Sequence, residues 1–136
     1  MCNPTAGGRK TIERGGTIEI VGEVTDHIVS LLEIVPSEDR KIYFAPSNLD
    51  HMKTSHPDDF AKYGEHLTYI LAEPDYVGRN PADGSIEYVK EFLVDGEYVK
   101  VAVRLSRSER YFARTLYTLN RNRVKNFIAK GTLKKT

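Results

Sequence analysis

At 136 residues, with 40 % hydrophobic and 29 % charged side chains and a net charge of +1, the chain has the size and composition of one globular domain able to bury a core without staples. No apolar run approaches the roughly 20 residues of a membrane helix, the segment MCNPTAGGRK lacks the apolar core of a secretory signal, and the lone Cys2 supports neither an internal disulfide nor a cysteine metal site, so the expected compartment is the cytoplasm. Residues 1–99 hold nine Lys/Arg against eighteen Asp/Glu, whereas residues 100–136 hold eleven Lys/Arg and only Glu109 as an acid; the carboxy-terminal third is therefore either a basic face for a polyanion or counter-charge for the rest of the fold.

Residues 1–16, with two Gly-Gly pairs, a proline and no apolar period, read as a flexible lead-in to a single domain over residues 17–136. Ile18, Ile20 and Val24, alternating with Glu19 and Glu23, predict a short strand, and Asp26 then caps a helix reaching Val35. Lys41–Ala45 is a second strand, and Ser47 caps a helix over Asn48–Ser55. After Pro57, residues Asp58–Ala72 carry Phe60, Tyr63, Leu67, Ile70 and Leu71 at helical spacing up to Pro74, which predicts the main amphipathic helix.

From Tyr76 the period changes to two. Asp95-Gly96 signals a hairpin, and a turn centred there places Glu91 opposite Lys100 and Glu87 opposite Arg104 on one polar face. The other face holds Ile86, Tyr88, Phe92, Val99, Val101, Val103 and Leu105, interrupted only by Lys90. A further strand covers Tyr111–Leu119, and Arg121–Ala129 reads as a closing helix with Val124, Phe127 and Ile128 on one side, ending at Gly131. Helices first and an antiparallel sheet afterwards define an α+β class, with the amino-terminal helices on one face and the other face left for a substrate.

Two segments hold the residue types that carry chemistry. His51 and His56 flank the end of the second helix, and histidine is the side chain best suited to moving protons near neutral pH. Their spacing puts the rings on different helix faces, and no cysteine or HExxH pattern supports them as zinc ligands. His51 reads equally as a packed helix residue; His56, beside Pro57 at a break, is the one favoured for function. In the strand after Arg110, alternation puts Tyr111, Thr115 and Tyr117 on one face and Phe112, Arg114 and Leu116 on the other. A four-residue turn after Ser106 sets Arg104 opposite Ala113 and brings Thr115 and Tyr117 onto the polar face, whereas a one-residue bulge brings Arg114 there instead. Arg104 is either Glu87's cross-strand partner or a phosphate contact. Lys90 either snorkels to an edge or serves a site, and Lys100 joins Arg104 and Lys90 as a candidate substrate contact. Arg121, Arg123, Lys125, Lys130, Lys134 and Lys135 read as a solvated helix and tail able to add sequence-independent affinity for a phosphate backbone.

The pieces NLDHMKTSHPDDFAKYG, PDYVGRNPADGSIEYVKEF, VAVRLSRSERYFARTLYTLN and RVKNFIAKGTLKK carry a resemblance to the phage and mobile-element branch of the barnase/EndoU/colicin/RelE-like nucleases, over roughly residues 17 to 136. The resemblance implies helices packed on a curved antiparallel sheet. It also implies a metal-independent and cofactor-free endoribonuclease, in which the ribose 2′-hydroxyl attacks the adjacent phosphate to leave a cyclic phosphate. On that reading His56, with His51, supplies the acid and base; Arg114, with Arg104 or Lys90, stabilises the phosphate; Thr115 and Tyr117 contact phosphate or base. The implied partners are RNA and a cognate inhibitor protein, with no membrane, in a toxin or effector module of a phage or mobile element. Two other readings stand beside it: a catalytically inactive RNA- or protein-binding module of the same fold, and, ranked last, a metal hydrolase using the two histidines with Asp50, Asp58 and Asp59.

Overall fold

The computed structural model describes the backbone of residues 11–13 and 16–136, with side chains from Thr17 onward. Of the expected lead-in, Thr11–Glu13 form a short strand, β1, paired with the start of β2 (Gly16–Glu23); residues 1–10, Cys2 among them, and 14–15 lie outside the described residues. In α1 (Asp26–Leu32) the cap is Thr25 rather than Asp26, because Thr25 Oγ1 accepts from the Ile28 N–H at 3.3 Å. The helix stops short of Val35, where Glu33 turns left-handed at φ 54°. After β3 (Lys41–Phe44), α2 (Pro46–Ser55) begins earlier than Ser47. Pro46 suits the first helical position, and the Asn48 side chain reaches back to accept from the Ala45 N–H at 2.9 Å.

The single helix expected over Asp58–Ala72 is instead α3 (Pro57–Tyr63), a 3-10 turn (Gly64–His66) and α4 (Leu67–Ala72). At the break the Phe60 ring packs over Gly64, 2.8 Å from where a Cβ would stand, so a larger residue there would displace the ring.

The remaining strands are β4 (Tyr76–Arg79), β5 (Ile86–Phe92), β6 (Glu97–Leu105), β7 (Tyr111–Leu119) and β8 (Leu133–Lys135), with α5 (Arg121–Ala129) between the last two. Their order is β1-β2-β3-β7-β6-β5-β4-β8. The sheet is mixed rather than wholly antiparallel, since β3 runs parallel to β7 through the pairs Ile42–Tyr111 and Tyr43–Phe112. Three-residue β8, too short to show a period, pairs with β4, where the bare backbone of Gly78 admits the Thr132 carbonyl.

Ile28, Met52, Tyr63, Leu67, Ile70 and Leu71 press the first four helices onto one sheet face, against Ile42, Val77, Ile86, Tyr88, Val99, Val101, Val103, Ala113 and Leu116. Each such aliphatic side chain contributes about 1.5–3 kcal/mol on burial. The second face is not wholly free: α5 lays Val124 and Phe127 over Val89, Tyr98, Leu119 and Leu133. Elsewhere on that face Glu87 and Lys100 are buried, while Arg104 and Arg114 are exposed.

The β5–β6 turn is the four-residue loop Leu93–Gly96, with Gly96 at φ 67° and Phe92 opposite Glu97, in place of the expected two-residue turn. Pairing therefore moves by two, so that Glu87 faces Ala102 and Glu91 faces Tyr98. A shift of two leaves every side chain on its expected face but re-pairs the charges. Across β6 and β7, Arg104 faces Phe112 instead of Ala113, and the register slips between Ala102–Thr115 and Val103–Ala113, leaving Arg114 as the extra residue of a bulge.

Candidate active site

The site exists because β3 leaves β7 after Tyr43–Phe112. The released edge of β7 is crossed by α2 and α3, and Asp59 Oδ2 accepts the Thr118 N–H at 3.0 Å that a neighbouring strand would otherwise take. Met52, fully buried, anchors α2 in the core, while the adjacent His51 is exposed beside the open sheet face. The bulge reconciles the two strand readings: Thr115 and Tyr117 stay on the polar face, and Arg114 is swung in beside them.

A cleft of about 380 Å³ results, lined by His51, Lys100, Arg104, Arg114, Thr115 and Tyr117 together with Asn80, Asp83, Ser85, Glu87 and Ala102. A second cleft of about 340 Å³ adjoins it, sharing His51 and Arg114 and adding Ala45, Ser47, Asn48 and Phe112. His56 is the link between α2 and α3; its ring stacks on Tyr117 at a centroid distance of 4.7 Å and 26°. His51 thus lines the cleft itself, and His56 reaches it through Tyr117. Lys90 is not brought to the cleft. It shares its face with Tyr88 and Phe92 beneath the helices, ion-paired with Asp75 at 3.5 Å and 4.8 Å from the Tyr69 ring centroid, and has snorkelled to an edge.

Glu87, which a two-residue turn would have set opposite Arg104, accepts from the diagonal Lys100 Nζ at 2.9 Å, with both side chains 11 % exposed. Burial works against the Lys100 charge, but the Tyr117 hydroxyl and the Glu87 carboxylate outweigh it and raise the lysine above its ordinary pKa. Lys100 Nζ also lies 4.8 Å from the Tyr117 ring centroid. Among the described residues no carboxylate stands within ion-pair distance of Arg104 or Arg114, and both are exposed. Asp83 is held below the usual carboxylate range by the Ser85 N–H, 2.9 Å from Oδ1, and by the Ser85 hydroxyl, with the Arg104 charge adding to them. Ser55 Oγ sits 3.4 Å from the ring nitrogens of His51. Among the described residues no three His, Cys, Asp or Glu side chains gather as a metal would require, so the hydrolase reading finds no ligand set there.

The Glu87–Lys100 pair on the cleft wall, the polar turn from Asn80 to Ser85, and Phe112 were not singled out from sequence as a group. The signal was present in the NPADGS turn directly before Glu87, but only the register brings it opposite β7. Taken together, two guanidiniums with no carboxylate at ion-pair distance among the described residues, an exposed imidazole and the Thr115 and Tyr117 hydroxyls suit the stabilisation of a charged phosphate group and the movement of protons beside it.

Comparison with curated proteins and with solved structures returns no match. No helix among the described residues is long and apolar enough to cross a membrane. A family model described as phage-Barnase-EndoU-ColicinE5/D-RelE like nuclease3 matches residues 3–126, a span that holds every residue lining the two clefts. With an α+β fold and a cationic cleft in agreement, the chain belongs to this phage-type Barnase/EndoU/colicin/RelE-like nuclease family.

Proposed function

We propose that the chain is a metal-independent endoribonuclease that cuts RNA by attack of a ribose 2′-hydroxyl on the adjacent phosphorus. The bond from phosphorus to the 2′-oxygen forms, the bond to the 5′-oxygen breaks, and a 2′,3′-cyclic phosphate is left. The observation that carries this reading is the convergence of His51, Arg104, Arg114, Thr115 and Tyr117 on one open cleft. His51 makes one of the two proton transfers, and the Tyr117 phenol is the donor for the other. Arg104 and Arg114, with the Thr115 hydroxyl, stabilise the charge that grows on the phosphorane. His56 is a positioning residue that holds the Tyr117 ring, and Lys100 with Glu87 supports that ring from the cleft wall. Membership in a phage-type nuclease family supports an effector or toxin role, for which a cognate inhibitor protein is the expected partner.

The test is cleavage of single-stranded RNA in EDTA. Products should carry cyclic-phosphate and 5′-hydroxyl ends, a 2′-deoxy substitution at the cut site should block cutting, and His51→Ala should lower the rate by about 10²–10⁴-fold with the circular dichroism spectrum kept. Undiminished cutting by His51→Ala overturns its role, and cutting of DNA overturns the 2′-hydroxyl chemistry. Salt-dependent RNA binding without turnover makes the chain a binding module of the same fold.

A further inference from the structure

Phe112 sits where a core residue does not belong. It lies on the polar face of β7, opposite Arg104, only half-buried, with its ring tilted 41° against Tyr43 at a centroid distance of 5.9 Å. It lines the second cleft, whose His51 and Arg114 are also walls of the first. A phosphodiester link has the corresponding order, a phosphate in the middle and a nucleoside on either side.

We infer that the paired clefts hold two successive nucleosides of a single strand, with the phosphate between them on Arg114 and one base stacked on Phe112. This rests on, and deepens, the ribonuclease reading by naming its substrate as unpaired at both nucleotides. The two compartments differ in what they offer. The first presents the polar groups of Asn80, Asp83 and Ser85, suited to the hydrogen-bonding edge of a base, and the second presents the Phe112 ring, suited to a base face. At about 380 and 340 Å³ each falls within the roughly 300–1,000 Å³ of small-ligand sites. A base inside a duplex is already stacked on its neighbours and cannot also lie on Phe112, so a pair of nucleosides seated this way has left the helix.

The probe is an uncleavable 2′-O-methyl RNA tetranucleotide with 2-aminopurine placed in turn at each central position, titrated into the intact chain. Quenching by stacking is expected at one of the two positions. Phe112→Leu, which keeps an apolar side chain but removes the flat ring, should abolish that quenching and weaken binding about tenfold; Phe112→Tyr should restore both. The same sequence in a duplex should bind more than about tenfold less well. Unchanged quenching and affinity in Phe112→Leu, equal duplex binding, or no binding at all overturns the inference. Because the probe cannot be cut, ring-dependent binding by a chain that never cleaves RNA overturns the ribonuclease reading and leaves the base seat standing. Cleavage that ignores Phe112 does the reverse.

Discussion

Among the described residues Arg104 has no carboxylate within ion-pair distance, because Glu87 meets Lys100 instead. With the two-residue turn expected from Asp95-Gly96, Glu87 would have opposed Arg104 and neutralised it; the four-residue loop carries Glu87 back to Ala102, within reach of the diagonal Lys100. Lys100 is thereby a structural cation and Arg104 an open one. Arg114 reaches the same place by a different device, the bulge that takes it out of strand alternation. For binding of uncleavable single-stranded RNA, the slope of log affinity against log salt should shrink by about 0.7 for Arg104→Ala and again for Arg114→Ala, one phosphate contact each. Lys100→Met should leave the slope unchanged while costing about 3–5 kcal/mol of stability, because it strands a buried carboxylate. Slopes from fluorescence anisotropy and stability from urea unfolding separate these outcomes; a slope insensitive to both arginines removes them from the phosphate.

Between elements, α3 is tied to the β5–β6 loop by a small polar cluster. The Tyr63 hydroxyl donates to Glu97 Oε1 at 2.6 Å and to Asp95 Oδ2 at 3.1 Å, and Lys62 Nζ reaches Glu97 at 2.8 Å. The Lys62 ammonium and the Tyr63 hydroxyl together hold the Glu97 carboxyl below its ordinary range. A depressed folded-state pKa contributes stability that is complete above the unfolded value of about 4.3 and is lost as pH falls through the folded one. Tyr63→Phe should therefore cost about 1.5 kcal/mol at neutral pH, the low end for bonds to charged groups because both carboxylates reach solvent. It should also shallow the loss of stability below about pH 4. Urea midpoints across pH 2–7 test this, and parallel curves for both proteins would deny the cluster its role. Elements of this kind mark where sequence reading succeeds and where it stops. Alternation in β5 and β6 named both faces, since parity survives any even shift of register, but loop length and the bulge decide which charges meet. The break after Tyr63 interrupts an apolar period that runs on unbroken in the sequence, and Lys90, legible as an anomaly on an apolar face, ion-pairs with Asp75.

Across the whole molecule, the basic carboxy-terminal third is not one basic surface. Lys100 is taken by Glu87, Lys134 donates to the Leu31 carbonyl, and Lys135, Arg110 and Arg121 lie over the rings of Tyr76, Tyr43 and Tyr98. Charge counting thus did not locate the cations of the cleft, whereas Arg104 and Arg114, singled out as candidate phosphate contacts by their strand positions, both line it. A sequence shows Pro57 beside His56, but not the parallel contact between β3 and β7 that sets α2 and His51 beside Arg114. That contact is a seam two residue pairs long, joining segments far apart in the chain, and the cleft straddles it: His51 follows β3, whereas Arg114, Thr115 and Tyr117 belong to β7. Remote, parallel contacts close late in folding. On refolding, RNA cleavage should therefore return after the far-ultraviolet circular dichroism of the meander, and simultaneous recovery would rule out late closure. On the proposed ribonuclease reading, a site wired across a late-closing joint leaves the surrounding RNA uncut until assembly is finished.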